Sequence, residues 1–255
     1  IDTLKAATMA PLTQLEQVAL PKTLKDIEKN AFQKNTKLRY VDMLLSNDAD
    51  LMNRLHNVVH SYLGLNEQMT LAYMPAEFGD IGETNVVVSK DGQLKAYEYS
   101  LIDSLDYMVP YAFEAISIKN SRKLAASQKP YTMCLPYAIS LPQGSTAYKL
   151  SWRDANTLVF EEETSTTLEA LHPYLVMVNG DNGAQGEENY LSLDSYKYEA
   201  PQPIPASTGI RIIQDDAPGY SIRGTLKGIS NAEAADLGAH ILQSDGKWHP
   251  VSTAN

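Results

Sequence analysis

The sequence predicts a mainly β protein: a short repeat solenoid of about three units, one with a helical insert, followed by an all-β, sandwich-like domain. Three observations carry this. One apolar set recurs at a constant shift, that from Leu15 to Leu38; it recurs again at a longer shift, that from Leu24 to Leu55, across an insertion; and beyond Pro75 it gives way to short β-rich runs punctuated by glycine and proline. The expected domains are residues 1–80 and 85–255.

The repeat can be followed position by position. One shift forward, Leu15, Val18 and Leu20 become Leu38, Val41 and Met43; one shift back, Leu24, Ile27 and Phe32 become Ile1, Leu4 and Met9. A polar stretch precedes each strand, Pro11-Leu12-Thr13-Gln14 in one unit and Lys34-Asn35-Thr36-Lys37 in the next. The longer shift carries Leu24, Ile27 and Phe32 to Leu55, Val58 and Leu63, and Leu38, Val41 and Met43 to Met69, Ala72 and Met74. Each unit thus offers a short strand with alternate side chains pointing inward, and a return segment presenting Leu24, Ile27 and Phe32 or their equivalents. One unit cannot bury that face alone, so neighbours must stack.

Residues 47–63 hold Leu51, Leu55, Val58, Val59 and Tyr62 at helical spacing, which predicts a surface helix on the convex side. Asn47 or Asp48 is its expected N-cap and Gly64 its stop. On the opposite, concave face the outward strand residues fall into two rows, Gln17, Tyr40, Leu71 and Ala19, Asp42, Tyr73. Tyr40, Leu71 and Tyr73 there predict an exposed amphipathic patch, with Gln17 and Asp42 beside them, of the sort that anchors a protein or glycan. The competing expectation is that the insert or the second domain covers it.

After Pro75 the repeat stops, and residues 76–84 read as a junction. The β-rich runs beyond it include Val86-Val87-Val88, 115–118, 131–137, 157–161, 173–178 and 239–243. Asp91-Gly92 and Asp245-Gly246 are hairpin dipeptides, and Asn179-Gly180 ends another run. Pro201, Pro203 and Pro205 argue against a central strand in their stretch.

The unit Leu-x-x-Val-x-Leu-Pro, followed by Ala31-Phe32 and by Asn35-Thr36-Lys37-Leu38, resembles the BspA-like leucine-rich repeats of bacterial surface proteins. The phrases Val109-Pro110-Tyr111-Ala112-Phe113, 131–137, Thr157-Leu158-Val159-Phe160 and Pro173-Tyr174-Leu175-Val176 resemble the β domain that often follows such repeats in secreted proteins of gut and oral anaerobes. The array departs from that family in its shortness and its helical insert. The resemblance implies an exported interaction protein of the cell surface, with no catalytic residues to carry over. The chain begins at Ile1 without a charged-then-apolar leader, so a leader is expected to have been removed or to lie upstream.

Charge and chemistry narrow the function classes. With 21 basic and 31 acidic residues the formal charge is −10, which disfavours nucleic acid and anionic lipid. No run approaches the roughly 18 apolar residues of a membrane span. Cys134, the only cysteine, is expected to be a buried small hydrophobe. His56 and His60 lie four apart, but Asn57 stands where a metalloprotease motif has glutamate, so a polar helix face is expected rather than metal. The acidic loop 181–188 lacks the spacing of an EF-hand. Glu161-Glu162-Glu163 cannot form a facing pair for glycoside hydrolysis, because neighbours on a strand point to opposite faces. No nucleophile elbow, phosphate loop or dinucleotide fingerprint is present. The reading is therefore a non-catalytic binding or adhesion module without cofactor or metal. The alternatives are a structural spacer of the bacterial surface and a glycan-active hydrolase.

Overall fold

A computed structural model describes residues 2–75, 82–141, 144–153, 157–179, 190–193, 197–207, 210–213 and 221–253. The chain is mainly β and divides into two compact units, residues 1–122 with 193–209 and residues 123–192 with 210–255.

In chain order the first unit contains β1 (Thr3–Leu4), α1 (Ala6–Met9), β2 (Gln17–Ala19), β3 (Asp26–Ile27), β4 (Tyr40–Asp42), α2 (Ala49–Leu55), α3 (Val59–Leu63), β5 (Leu71–Met74), β6 (Val86–Lys90), β7 (Gln93–Leu101) and β8 (Phe113–Asn120). The second unit follows with β9 (Lys123–Ala125), β10 (Tyr131–Met133), β11 (Ile139–Ser140), β12 (Ser145–Arg153), β13 (Leu158–Glu162), β14 (Thr167–Leu168), β15 (Tyr174–Val178) and β16 (Tyr190–Ser192). The chain returns to the first unit as β17 (Lys197–Ile204) and ends in the second with β18 (Ile210–Ile213), β19 (Ile222–Thr225), α4 (Asn231–Asp236), β20 (His240–Leu242) and β21 (Trp248–Pro250).

The sequence shifts reappear as strand registers. β2 pairs in parallel with β4, Gln17 to Tyr40 and Ala19 to Asp42; β4 pairs in parallel with β5, Tyr40 to Leu71 and Asp42 to Tyr73. β1 and β3 pair in parallel at the same offset as β2 and β4, Thr3 to Asp26 and Leu4 to Ile27. Between units of the repeat, the Asn35 amide donates to the carbonyls of Met9 (3.0 Å) and Leu12 (2.8 Å). Inward side chains close a core of Leu24, Ile27, Phe32, Leu38, Val41, Met43, Leu55, Leu63, Ala72 and Met74, all buried, with Val86 and Val88 of β6 joining it. Truncating a ring as buried as Phe32 to alanine costs about 3–5 kcal/mol.

The insert is not one helix. α2 is capped by Asp48, whose Oδ1 accepts from the Leu51 amide at 2.9 Å, but it ends at His56 and restarts at Val59. Asn57 sits at φ +59° between the two, a left-handed conformation that asparagine tolerates better than most residues. Of the two valines expected on the apolar face, Val59 is buried, but the break leaves Val58 exposed. α3 stops at Gly64 as expected, at φ +73°; a Cβ there would lie 3.1 Å from the Gln33 backbone as well.

The sheet does not end at residues 80–85. β5 pairs in parallel with β6, and one seven-stranded sheet runs β17-β8-β7-β6-β5-β4-β2. Asn85, fully buried at φ +59°, holds this join: its amide donates to the carbonyls of Glu67 and Ser100 and accepts from the Ser100 amide at 2.8 Å. β6 and β7 form the expected hairpin, with Asp91 and Gly92 both at positive φ as a type I′ turn requires. β7 then pairs in parallel with β8, so residues 102–112 must cross over one face of the sheet. Pro201 and Pro203 lie in β17, an edge strand with a register shift, where a missing amide proton is tolerated.

In the second unit a four-stranded antiparallel sheet runs β10-β15-β12-β13 over buried Met133, Ala147, Leu150, Tyr174 and Val176. Cys134 is part-exposed rather than buried, and Gly224 lies so close that a Cβ there would overlap its Sγ. Among the described residues no helix is long and apolar enough to cross a membrane.

Candidate functional site

The five residues expected on the concave face are brought together by the registers of β2, β4 and β5: Gln17 beside Tyr40 beside Leu71, and Asp42 beside Tyr73. Their exposure is graded across the sheet. Gln17 is exposed and Tyr40 half-buried, whereas Asp42 is 9% exposed, Leu71 1% and Tyr73 0%. Leu71 and Tyr73 are therefore not part of an exposed patch; of the two sequence expectations, an open face and a covered one, the structure has the covered one.

The cover is the crossover between β7 and β8, not the helical insert. Its alternating Tyr107, Val109 and Tyr111, continued by Phe113 at the start of β8, face the sheet, and all but Tyr111 are buried. Tyr73 makes edge-on contacts with Tyr111 (5.4 Å between centroids), Phe113 (6.5 Å) and Tyr40 (6.5 Å), and its hydroxyl donates to the Tyr111 carbonyl at 3.1 Å. Tyr99 continues the cluster against Phe113 and Tyr107. Polar ties fix the crossover: Arg39 pairs with Asp106 at 3.0 Å, and the Tyr107 hydroxyl donates to the Gln68 carbonyl at 3.2 Å. Burial pushes the Tyr73 hydroxyl well above the ordinary phenol range, so it stays a neutral donor.

What remains open is a small polar-aromatic face. The Tyr40 hydroxyl donates to Gln17 Oε1 at 2.9 Å, and the Tyr111 hydroxyl donates to Asp42 Oδ2 at 2.8 Å. Asp42 Oδ1 accepts from the Leu44 amide at 2.9 Å. Burial, then the Asp42 charge, raises the Tyr40 pKa; for Tyr111 the hydrogen bond to Asp42 is the leading cause of a rise. Tyr111, 43% exposed, is the member that sequence reasoning missed. Its signal was the period-two aromatic run from Tyr107 to Phe113, which reads equally well as an ordinary strand.

No family model matches the chain, and no curated protein or solved structure matches it.

The other sequence candidates separate. His56 ends α2 while His60 lies in α3, so they share no helix face. His60 is buried, its Nε2 donating to the Thr70 carbonyl at 2.8 Å, and burial lowers its pKa. This is a core histidine, not a member of a polar surface. No group of three or more metal-ligating side chains occurs among the described residues. Glu161 and Glu162 are exposed on β13, and Glu163 beyond the strand pairs with Lys149 at 3.2 Å. The loop 181–188 lies outside the described residues.

Proposed function

We propose that this chain is a non-catalytic binding module of a bacterial cell surface, akin to the BspA-like leucine-rich repeat proteins. On this reading β1 to β5 are a short solenoid of stacked repeats whose sheet is continued by β6 to β8 and β17, and the strands of the second unit form a sandwich-like domain. The ligand is a protein or glycan, and it engages the open part of the strand face, Gln17 and Tyr40 with Tyr111 beside them, over the largely buried Asp42. The observation that carries the proposal is the pair of accessible tyrosine rings flanking a carboxylate on strands packed from behind by the core. Such a face is rigid before it binds, which lowers the entropic cost of association.

The test is binding of the purified chain to an array of host matrix proteins, mucins and glycans, with a Tyr40→Ala/Tyr111→Ala variant alongside. Both rings are partly exposed, so the variant is expected to fold and to lose the binding. Undiminished binding by the variant would refute the site. Silence across the array would favour a second reading, a structural spacer without a ligand of its own. Its specific support is the burial of Tyr73 under the chain's own crossover.

A further inference from the structure

Asp42 is a carboxylate withdrawn from water and held, among the described residues, by neutral donors alone. Its two oxygens accept from the Leu44 amide and the Tyr111 hydroxyl, and no lysine, arginine or histidine lies within ion-pair distance among the described residues. Arg39, adjacent to β4, is committed to Asp106. Each carboxylate oxygen carries two lone pairs, so both can still accept from an incoming N–H. A charge removed from water without a counter-charge is costly, and a cation supplied from outside offsets that cost.

The surroundings favour a cation further. Tyr40 and Tyr111 stand beside the carboxylate, and phenol ring faces attract ammonium and guanidinium groups within about 6 Å. The chain as a whole carries −10, a field that draws cations toward it. Gln17 lies on β2, the last strand of the sheet, whose outer edge has no strand partner among the described residues. Such an edge offers backbone donors and acceptors to an extended peptide.

Resting on the binding-module reading, we propose that this face takes a lysine or arginine side chain of a partner protein, seated between the Tyr40 and Tyr111 rings with its N–H groups on Asp42. The remaining acceptor sites on the carboxylate select a cation that can donate hydrogen bonds over a quaternary ammonium, which cannot. The sheet edge beside Gln17 selects a polypeptide over a free amine.

The Leu44 amide, bonded to Asp42 Oδ1, is a built-in reporter. The experiment is an NMR titration of the nitrogen-15-labelled full chain with acetylated, amidated hexalysine. The same peptide with glutamine in place of lysine, and tetramethylammonium chloride, serve as controls. Saturable shifts of the Leu44 and Tyr111 amides with hexalysine alone are the expected result. Equal shifts with tetramethylammonium would overturn the hydrogen-bonding lysine in favour of a quaternary cation. Unsaturable shifts spread over the acidic surface would overturn the site.

Variants separate local from general charge. Asp42→Asn is expected to weaken binding about tenfold, and Glu161→Gln, an equal charge change in the second unit, by less than about twofold. Equal losses in Asp42→Asn and Glu161→Gln would refute the proposal. Should Asp42→Asn fail to fold, the wild-type Leu44 response decides alone. If the array finds a Tyr40-dependent ligand while hexalysine leaves Leu44 unmoved, the cation fails and the binding face stands. If hexalysine moves Leu44 while the array is silent, both stand for a partner outside the array.

Discussion

Replacing Tyr73 by alanine tests which face of the sheet is core. Had the concave strand face been open to solvent, as the repeat pattern alone suggested, the change would cost at most about 0.5 kcal/mol, like other surface substitutions. Instead the ring is fully buried, with edge-on neighbours at 5.4, 6.5 and 6.5 Å and a hydroxyl bonded to the Tyr111 carbonyl. Truncating such a ring costs about 3–5 kcal/mol. Tyr73→Phe removes only the hydrogen bond and is expected to cost about 1 kcal/mol. At a urea dependence of roughly 2 kcal/mol per molar, the alanine variant should unfold about 1.5–2.5 M earlier and the phenylalanine variant about 0.5 M earlier. Both tryptophans, Trp152 and Trp248, belong to the second unit, so a probe within the first unit is needed. The assay is near-ultraviolet circular dichroism of the tyrosines with amide exchange at Ala72 and Val87. A shift below about 0.5 kcal/mol for Tyr73→Ala would refute the burial of this face and restore it as open surface.

His60, whose pKa burial holds below the ordinary imidazole value of 6.5, makes stability depend on pH. The unfolded chain binds that proton first, so the contribution is complete above 6.5 and is lost as pH falls from there toward the folded value. His60→Gln should flatten the unfolding midpoint of the first unit between pH 7 and 5; an unchanged slope would exclude His60 as its source. Glu83, raised by burial although it accepts from the Val59 amide, works with the opposite sign, favouring the fold at low pH and losing that contribution as pH rises. In the second unit, Gly224→Ala drives a methyl group into Cys134 and should cost about 1–3 kcal/mol. Tryptophan-detected urea unfolding checks it, and an unshifted midpoint would mean that Cys134 gives way freely there.

The strand registers were legible because a repeat is redundant: one constant shift predicts every apolar partner of β2 on β4, a second does so across the insert, and a local ambiguity is outvoted. Single residues with unusual backbone conformations were not legible. Asn57 reads as one more polar helix position, yet its left-handed conformation splits the insert and leaves Val58 exposed. The same break separates His56 from His60, which helical spacing alone would have kept together. The cover over Leu71 and Tyr73 was hidden for another reason. An outward row on a strand carries no mark of whether water or a later segment meets it, and the segment that meets it starts only after Leu101, two strands further along the chain. Asp42, correctly placed in its row, gained its significance only when Tyr111 was found beside it.

The order in which the chain visits its two units bears on how it can be made and cut. Residues 1–122 supply six of the seven strands of the large sheet, but β17 arrives only after 123–192 have been threaded elsewhere. During synthesis β8 must wait, its outer edge unpaired, while that whole intervening stretch leaves the ribosome, an interval in which such an edge is open to another chain. A fragment ending at Arg122 would keep that edge for good, and one beginning at Lys123 would carry β17 with nothing to pair against. The natural division of this protein for expression therefore lies at neither point, and a soluble half is to be sought by joining 1–122 to 193–209 through a short linker.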